Sequence, residues 1–376
     1  MSHLLTAPVT LRGLTLRNRI VISPMCQYSA TDGLANDWHM VQYGRFAVGG
    51  AGLVMVEATC VTVDGRGTPG DLGLWDDAQI APLARICAFL HDQGAAAGIQ
   101  LGHAGRKGAT QRPFHGGAPL SPADLAMRGE APWPVLAPSA IAMADGWQVP
   151  VEMTLDDLAA VKSAYAEAAR RALAAGFDVI ELHAAHGYLI HEFLSPLSNH
   201  RSDAYGGDAT RRMRFPLEVA QTLRDLWPAD RPMFVRVSAV DHVDGGVEIG
   251  DTIAFASALK ALGIDVIDCS SGGILGAATA GRAPRGPGFQ VPYAQAIRAK
   301  AGIATMAVGL ITDPVQAEAI LAAGQADLIA IGREALDNPN WPLHARRALD
   351  DDGFAQWPPQ HGWWLDRRAA LQRQKG

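Results

Sequence analysis

TLDDLAAVKSAYAEAARRALAAGFDVIELH, residues 154–183, holds in one piece the unit from which the fold is built. Its first two-thirds read as an amphipathic helix, with Leu158, Val161, Tyr165, Ala168 and Leu173 on an approximate apolar stripe. Thr154 stands where a side-chain oxygen can accept from the free N–H groups of the first turn, and Asp157 completes a capping box. Gly176 supplies the residue that can turn the chain out of a helix. FDVIELH (177–183) is then a short apolar run without strict polar alternation, as a parallel strand covered on both faces should be.

The same cadence extends in both directions. Before this unit come RIVISPM (19–25), AGLVMVEA (51–58) and AAAGIQLG (95–102). After it come MFVRVSA (233–239), IDVIDCS (264–270), IATMAVG (303–309) and DLIAIGR (327–333). DTIAFASALKALG (251–263) and TDPVQAEAILAAG (312–324) repeat the helix that ends in glycine before the next run. Eight strands joined by right-handed helical crossovers can close on themselves, so the expected fold class is α/β, a single (β/α)8 TIM barrel. An open doubly wound sheet is the alternative, but no GxGxxG follows the first run. TLRGLTLRN (10–18) reads as a hairpin that closes the barrel's bottom. One domain is expected over residues 1–376, with a lid insertion at about 103–153 after the third strand and an aromatic tail at about 354–376.

Composition narrows the function classes. Of 376 residues, 48% are hydrophobic and 19% charged, which excludes a disordered or fibrous chain. Lys and Arg total 32 against 38 Asp and Glu, and no basic block stands out, so nothing favours a nucleic-acid or membrane partner. The four cysteines form no CxxC pair and no disulfide framework. No secretory signal is evident, and no apolar run approaches the roughly 20 residues of a membrane span, so a cytoplasmic location is expected.

The long excursions 103–153, 184–215 and 271–292 leave the C-terminal ends of strands, where a barrel builds its active site. The sharpest feature is IELHAAHGYLIHEFLSP (180–196). His183 and His186 follow the fourth strand, and two neutral imidazoles can donate to one carbonyl or nitro oxygen as negative charge builds on it. Tyr188 offers a phenolic proton. Capping of local backbone is the plainer reading of both histidines, and a metal site would need a third ligand for which no zinc-type motif is present. His191 is expected to make a structural hydrogen bond.

SPMCQYS (23–29) ends the first strand and brings Ser23, Pro24, Met25 and Cys26 to the barrel mouth. A planar heteroaromatic cofactor needs such an apolar support with polar groups at its edge. Cys26 could tune the ring's electron affinity or be only a small buried hydrophobe, and Tyr28 could line the substrate side. Gln100 can read an imide-like edge, and Arg236, flanked by apolar residues in VRVSA, should face the barrel and stabilise charge on a reduced ring. Gly309, Gly332 and Arg333, at the ends of the last two strands, could cradle a phosphate or make ordinary βα turns. Asn36 or Asp37 should cap a helix starting at Asp37–Trp38–His39. His103, Arg106 and Lys107 either reach a substrate or phosphate or form salt bridges in an exposed loop. Asp241, His242 and Asp268 are acid–base candidates without a matched partner.

SPMCQYS, VEATCV, LGHAGRK, HAAHGYL, VRVSA and IGREAL, in this order, resemble the old yellow enzyme family, in particular its bacterial Cys-containing branch of xenobiotic-reductase-like ene-reductases. The likeness covers nearly the whole chain. It implies noncovalent FMN, reduced by NADPH or NADH, and hydride transfer from flavin N5 to an activated C=C bond of an α,β-unsaturated carbonyl or nitro compound. His183 and His186 then meet the electron-withdrawing oxygen, Tyr188 falls at the tyrosine linked to protonation, and Tyr28 is an active-site tyrosine. Ser23, Pro24, Met25, Cys26, Cys60, Gln100, Arg236, Gly309, Gly332 and Arg333 fall around the flavin. Ping-pong kinetics and a homodimer or homotetramer are implied as well.

Two departures stand out. Cys60 replaces the usual alanine of VEATAV, and the tail WPPQHGWWLDRR lacks the tyrosine and arginine spacing by which such tails complete a neighbouring subunit's pocket. No such role is therefore expected of Arg367 or Arg368, while Trp363 and Trp364 either shape the pocket or serve as an anchor. Two alternatives remain. One is a dienoyl-CoA reductase, disfavoured by the lack of a four-cysteine iron–sulfur motif. The other is a metal-dependent barrel lyase or hydrolase using His183 and His186.

Overall fold

In the computed structural model, which describes residues 3–275 and 285–373, eight parallel strands pair in chain order and the eighth returns to the first. They are β1 (Ile20–Ile22), β2 (Leu53–Cys60), β3 (Ala96–Gly102), β4 (Val179–Ala184), β5 (Met233–Ser238), β6 (Val266–Ser270), β7 (Ala304–Ala307) and β8 (Leu328–Ile331). Ile329 of β8 is in register with Ile20, and Val21 with Leu53, which closes the barrel. The expected (β/α)8 fold is the one observed.

Alternation along the strands decides what lies inside. Ile180, Leu182, Val235, Val237, Ile267 and Cys269 belong to the apolar layer shared with the surrounding helices. Val179, Phe234 and Val266 belong instead to a second cluster, to which every barrel strand contributes. Moving up two residues at a time from these, the interior positions are Glu181 and His183 on β4, Arg236 and Ser238 on β5, and Asp268 and Ser270 on β6. The barrel is thus plugged with apolar side chains below and lined with polar ones toward the mouth. The N-terminal hairpin, Val9–Leu11 paired antiparallel with Leu14–Leu16, packs its leucines and Val9 against the apolar plug.

The helix quoted at the outset, Leu155–Ala175, follows the expected chemistry. Thr154 Oγ1 accepts from the Asp157 N–H at 3.2 Å, Asp157 Oδ2 accepts from the Thr154 N–H at 2.8 Å, and Gly176 leaves the helix at φ +95°. Thr154→Ala should therefore destabilise the protein by about 1 kcal/mol, read as a shift in the denaturant midpoint at constant slope. In the first barrel helix, Asp37–Val48, Asn36 is the cap and His39 completes its capping box.

The observed strands are trimmed or shifted at their ends relative to the expected runs, and in β1 and β2 the physical reason is visible. β1 stops at Ile22 rather than Met25: Ser23 N–H makes a last bond to Ile331 O at 3.0 Å, and Pro24 has no N–H to continue the ladder. β2 runs on to Cys60 through a bulge, because Val56 is in register with Ile99 but Ala58 with Gln100. Glu57 is the extra residue, so Ala58 and Cys60 are turned toward the interior. The lid over 103–153 holds a short helix, Pro122–Arg128, and a two-stranded pairing of Leu136–Ala137 with Val151–Glu152. Of the expected loop 271–292, residues 276–284 lie outside the described residues. Among the described residues no helix is long and apolar enough to cross a membrane.

Candidate active site

Two cavities of about 270 and 280 Å³ open at the C-terminal ends of the strands. The first is lined by Cys26, Tyr28, Cys60, His183 and Tyr188, with Met143 and Trp147 of the lid as a wall. The second is lined by Ser23, Pro24, Met25, Arg236, Gly309, Gly332 and Arg333. The residues expected near substrate and those expected near the far end of the cofactor therefore fall into two separate groups, with Cys26 and Cys60 on the substrate side. Gln100 lines neither cavity; it is buried on β3, where its Nε2 donates to Glu181 Oε1 at 2.8 Å.

His186 sits between the groups. Its ring lies 5.3 Å from that of His183, edge to face, and its Nε2 is 2.7 Å from the hydroxyl of Ser270, which lines the second cavity. The Ala185 N–H points at His183 Nδ1 at 3.3 Å, which leaves Nε2 as the protonated nitrogen and a donor. Burial, reinforced by the Arg236 charge, holds both imidazoles well below the ordinary histidine range, so both are neutral at pH 7. Tyr188 packs on His183 at 4.9 Å between ring centroids, and burial raises its hydroxyl above the usual tyrosine range. It remains a proton donor across neutral pH. Burial and then Glu57 likewise raise the Cys26 thiol, which stays protonated.

Below the mouth lies a buried polar layer. Arg236 Nε is 3.0 Å from Asp268 Oδ2, so Asp268 has the partner that its sequence context did not reveal. Burial pushes Asp268 up, and burial together with Asp268 pushes Glu181 up to about 8. The Asp268 carboxyl holds that guanidinium at the floor of the second cavity, and the Glu181 carboxyl on β4 feels its charge.

The second cavity also suits a phosphate-bearing ring. Ser23 Oγ is buried there with no hydrogen-bond partner. Gly309 adopts φ +126°, and a Cβ on it would come within 3.0 Å of Phe289, so the backbone itself forms that wall. Arg333 supplies a cation at the rim.

Several expectations need correction. Arg106 is no exposed-loop residue: it is 1% exposed, its N–H donates to Glu192 Oε1 at 2.9 Å and its guanidinium to Ile274 O at 2.9 Å. His103 is also buried, and burial lowers it to about 4. Asp241 is not a free acid: it sits 2.9 Å from His191 Nε2 and accepts from the Ser195 hydroxyl at 2.7 Å, giving His191 its structural bond. Trp363 and Trp364 line neither cavity; they are 48% and 65% exposed and pack edge to face on each other.

Sequence reasoning missed Glu57, which accepts from Tyr43 Oη and from the Gln27 N–H, both at 2.7 Å, directly behind Cys26. Burial pushes it up to about 8. A charged residue inside an apolar run was the signal, the same one that identified Arg236. Met143 and Trp147 carried no signal beyond the composition of the lid. Among the described residues no group of three or more His, Cys, Asp or Glu side chains is placed to hold a metal.

Comparison with known proteins gives a consistent result. Residues 4–352 match the model of the NADH:flavin oxidoreductase / NADH oxidase family. An NADPH dehydrogenase of Geobacillus thermodenitrificans (strain NG80-2) is 45% identical over 365 residues, 96% of this chain and 99% of that protein. An NADPH dehydrogenase of Bacillus subtilis (strain 168) is 44% identical over 96% of this chain and its own full length. Among solved structures, a morphinone reductase superposes with a TM-score of 0.77 at 25% identity, covering 93% of this chain and 90% of the other. An old yellow enzyme homologue from Zymomonas mobilis gives 0.73 at 28% identity, covering 93% of each chain.

Proposed function

We propose a function from the premise that the chain belongs to the NADH:flavin oxidoreductase / NADH oxidase family: it is an FMN-dependent ene-reductase that draws hydride from NADPH or NADH. The activated alkene is an α,β-unsaturated carbonyl or nitro compound. The observation that carries this reading is the pair of neutral imidazoles, His183 buried and His186 half-buried, beside one cavity and next to a second cavity with two arginines and glycine backbone.

The second cavity and the floor between the two fit FMN: Ser23, Pro24, Met25, Gly309, Gly332 and Arg333 would hold it, Arg236 and Gln100 would meet the ring's edge, and Cys26 and Cys60 would lie toward the substrate. When bound, it supplies the hydride at N5. The protein's own part is positioning and charge stabilisation. His183 and His186 donate to the substrate's oxygen and so both orient the alkene and favour the electron density that gathers on that oxygen. Tyr188 holds a proton for the α carbon. Tyr28 and the lid residues Met143 and Trp147 confine the substrate and limit water. We take residues 1–376 to work as one such domain, in the cytoplasm, as a homodimer or homotetramer.

Tyr188→Phe should slow alkene reduction by up to about 10²-fold while leaving flavin bleaching by NADPH near its wild-type rate. Stopped-flow absorbance separates the two half-reactions. The reading as a whole is tested by a visible spectrum of the gently purified protein, followed by anaerobic NADPH and then 2-cyclohexenone. A flavin band that bleaches and then returns supports it. A colourless protein that takes up no FMN rejects it.

A further inference from the structure

Lys107, in the segment leaving β3, places its ammonium between two loops. Nζ donates to the carbonyl oxygen of His186 at 2.5 Å and to that of Gly273, and it lies 5.5 Å from the centroid of the Tyr188 ring. His186 follows β4 and Gly273 follows β6, so one side chain joins three loops at the mouth.

The two loops are interlocked as well as tied. A Cβ on Gly273, at φ +98°, would come within 2.7 Å of His186 Cα. A Cβ on Gly187, at φ +71°, would come within 2.5 Å of Gly273 O. His186 itself has φ +61°, a left-handed conformation that side chains with a Cβ hold only where their surroundings impose it. Two of its other polar atoms are fixed as well, the N–H by Ser238 Oγ at 2.9 Å and ring Nε2 by Ser270 Oγ at 2.7 Å, which leaves ring Nδ1 for the substrate's oxygen. The carbonyl is the remaining handle, and Lys107 holds it. Arg106 adds a parallel bond to Ile274 O, and the Glu192 carboxyl anchors the Arg106 N–H from below.

We propose that Lys107 is a positioning residue, which clamps the carbonyl of His186 against that of Gly273 and thereby sets the angle at which the His186 imidazole meets the substrate's oxygen. This rests on the reading of His186 given above. Lys107 also lines the first cavity, so a direct contact with substrate is the competing role. Burial lowers its amine to about 8, opposed by Glu192 and aided by Arg106, so the clamp is charged at neutral pH.

A double-mutant cycle on FMN-loaded protein separates the roles. Lys107→Met keeps an apolar stem and removes the donors. It should lower kcat/KM for 2-cyclohexenone by about 10- to 100-fold through misplacement of the imidazole, with FMN occupancy unchanged. In a His186→Ala background the same substitution should change kcat/KM by less than about twofold. Lys107→Gln, which keeps an N–H donor, should recover part of the loss. Equal losses in both backgrounds would assign Lys107 to the substrate and overturn the clamp, as would an unchanged Lys107→Met enzyme. Loss of FMN from both Lys107 variants would make it a scaffold residue instead. A wild-type chain that binds no FMN, or a fully active His186→Ala, would refute the reading of the site before reaching the clamp.

Discussion

His183→Ala and His186→Ala each lower kcat/KM for alkene reduction by about 10²- to 10³-fold, while the protein keeps its FMN. The size follows from where the donors are. Both imidazoles are neutral, His183 buried and His186 half-buried, and a hydrogen bond aimed at developing charge is worth more there than in water. The separation of activity from cofactor content follows from the division of the two cavities. His183 lines the cavity away from Gly309, Gly332 and Arg333, and His186 reaches the other through Ser270. Because the two donors serve one oxygen, the double variant should lose less than the product of the single losses. Steady-state rates with FMN measured by absorbance give both quantities. Wild-type activity at full occupancy would remove the assigned role.

Arg236→Met has the larger structural effect. It strips the guanidinium paired with Asp268 from a layer in which Glu181 and Asp268 are completely buried. Breaking a buried ion pair from one side costs about 3–5 kcal/mol, because the remaining charge has no compensation. The deficit depends on pH in a definite direction. Glu181 and Asp268 have raised pKa values in the folded protein, Glu181 up to about 8 from the ordinary 4.5. Groups shifted this way favour the folded state below their unfolded pKa and lose that contribution as pH rises through the folded value. Removing Arg236 raises both further, so the variant's deficit should be small near pH 5 and should grow up to and beyond pH 8. Denaturant midpoints at pH 5, 7 and 9 measure it, and FMN affinity should fall in parallel. A deficit independent of pH would mean that the two carboxyls do not share the cation's field.

Much of this layer was legible in the sequence, and the reason is the strand's period of two. In MFVRVSA Arg236 stands between apolar neighbours, so it could be placed inside before any contact was known, and His183 ends FDVIELH at the mouth, whereas Glu181 in the same run was not singled out. The capping of Leu155–Ala175 was legible because every partner lies within a few residues. What was hidden depends on the chain returning to itself. The Arg236–Asp268 pair joins neighbouring strands, and the Lys107 bonds join residues 79 and 166 positions apart. The bulge at Glu57 inverts the facing of Ala58 and Cys60, and a pattern count cannot show where a register will slip. Arg106 looked like a loop residue because its neighbours are glycine and lysine; its guanidinium partners, the carbonyls of Ile141 in the lid and Ile274 after β6, lie far along the chain.

The measurement that bears most directly on the central claim is a crystal structure of the FMN-loaded protein with a small phenol bound as a stand-in for the substrate's oxygen. The account predicts a flavin ring lying between the cavity of Gly332 and Arg333 and that of His183, with the phenol oxygen within about 3.2 Å of both imidazoles. A ring bound elsewhere, or a phenol oxygen out of reach of either histidine, would contradict it.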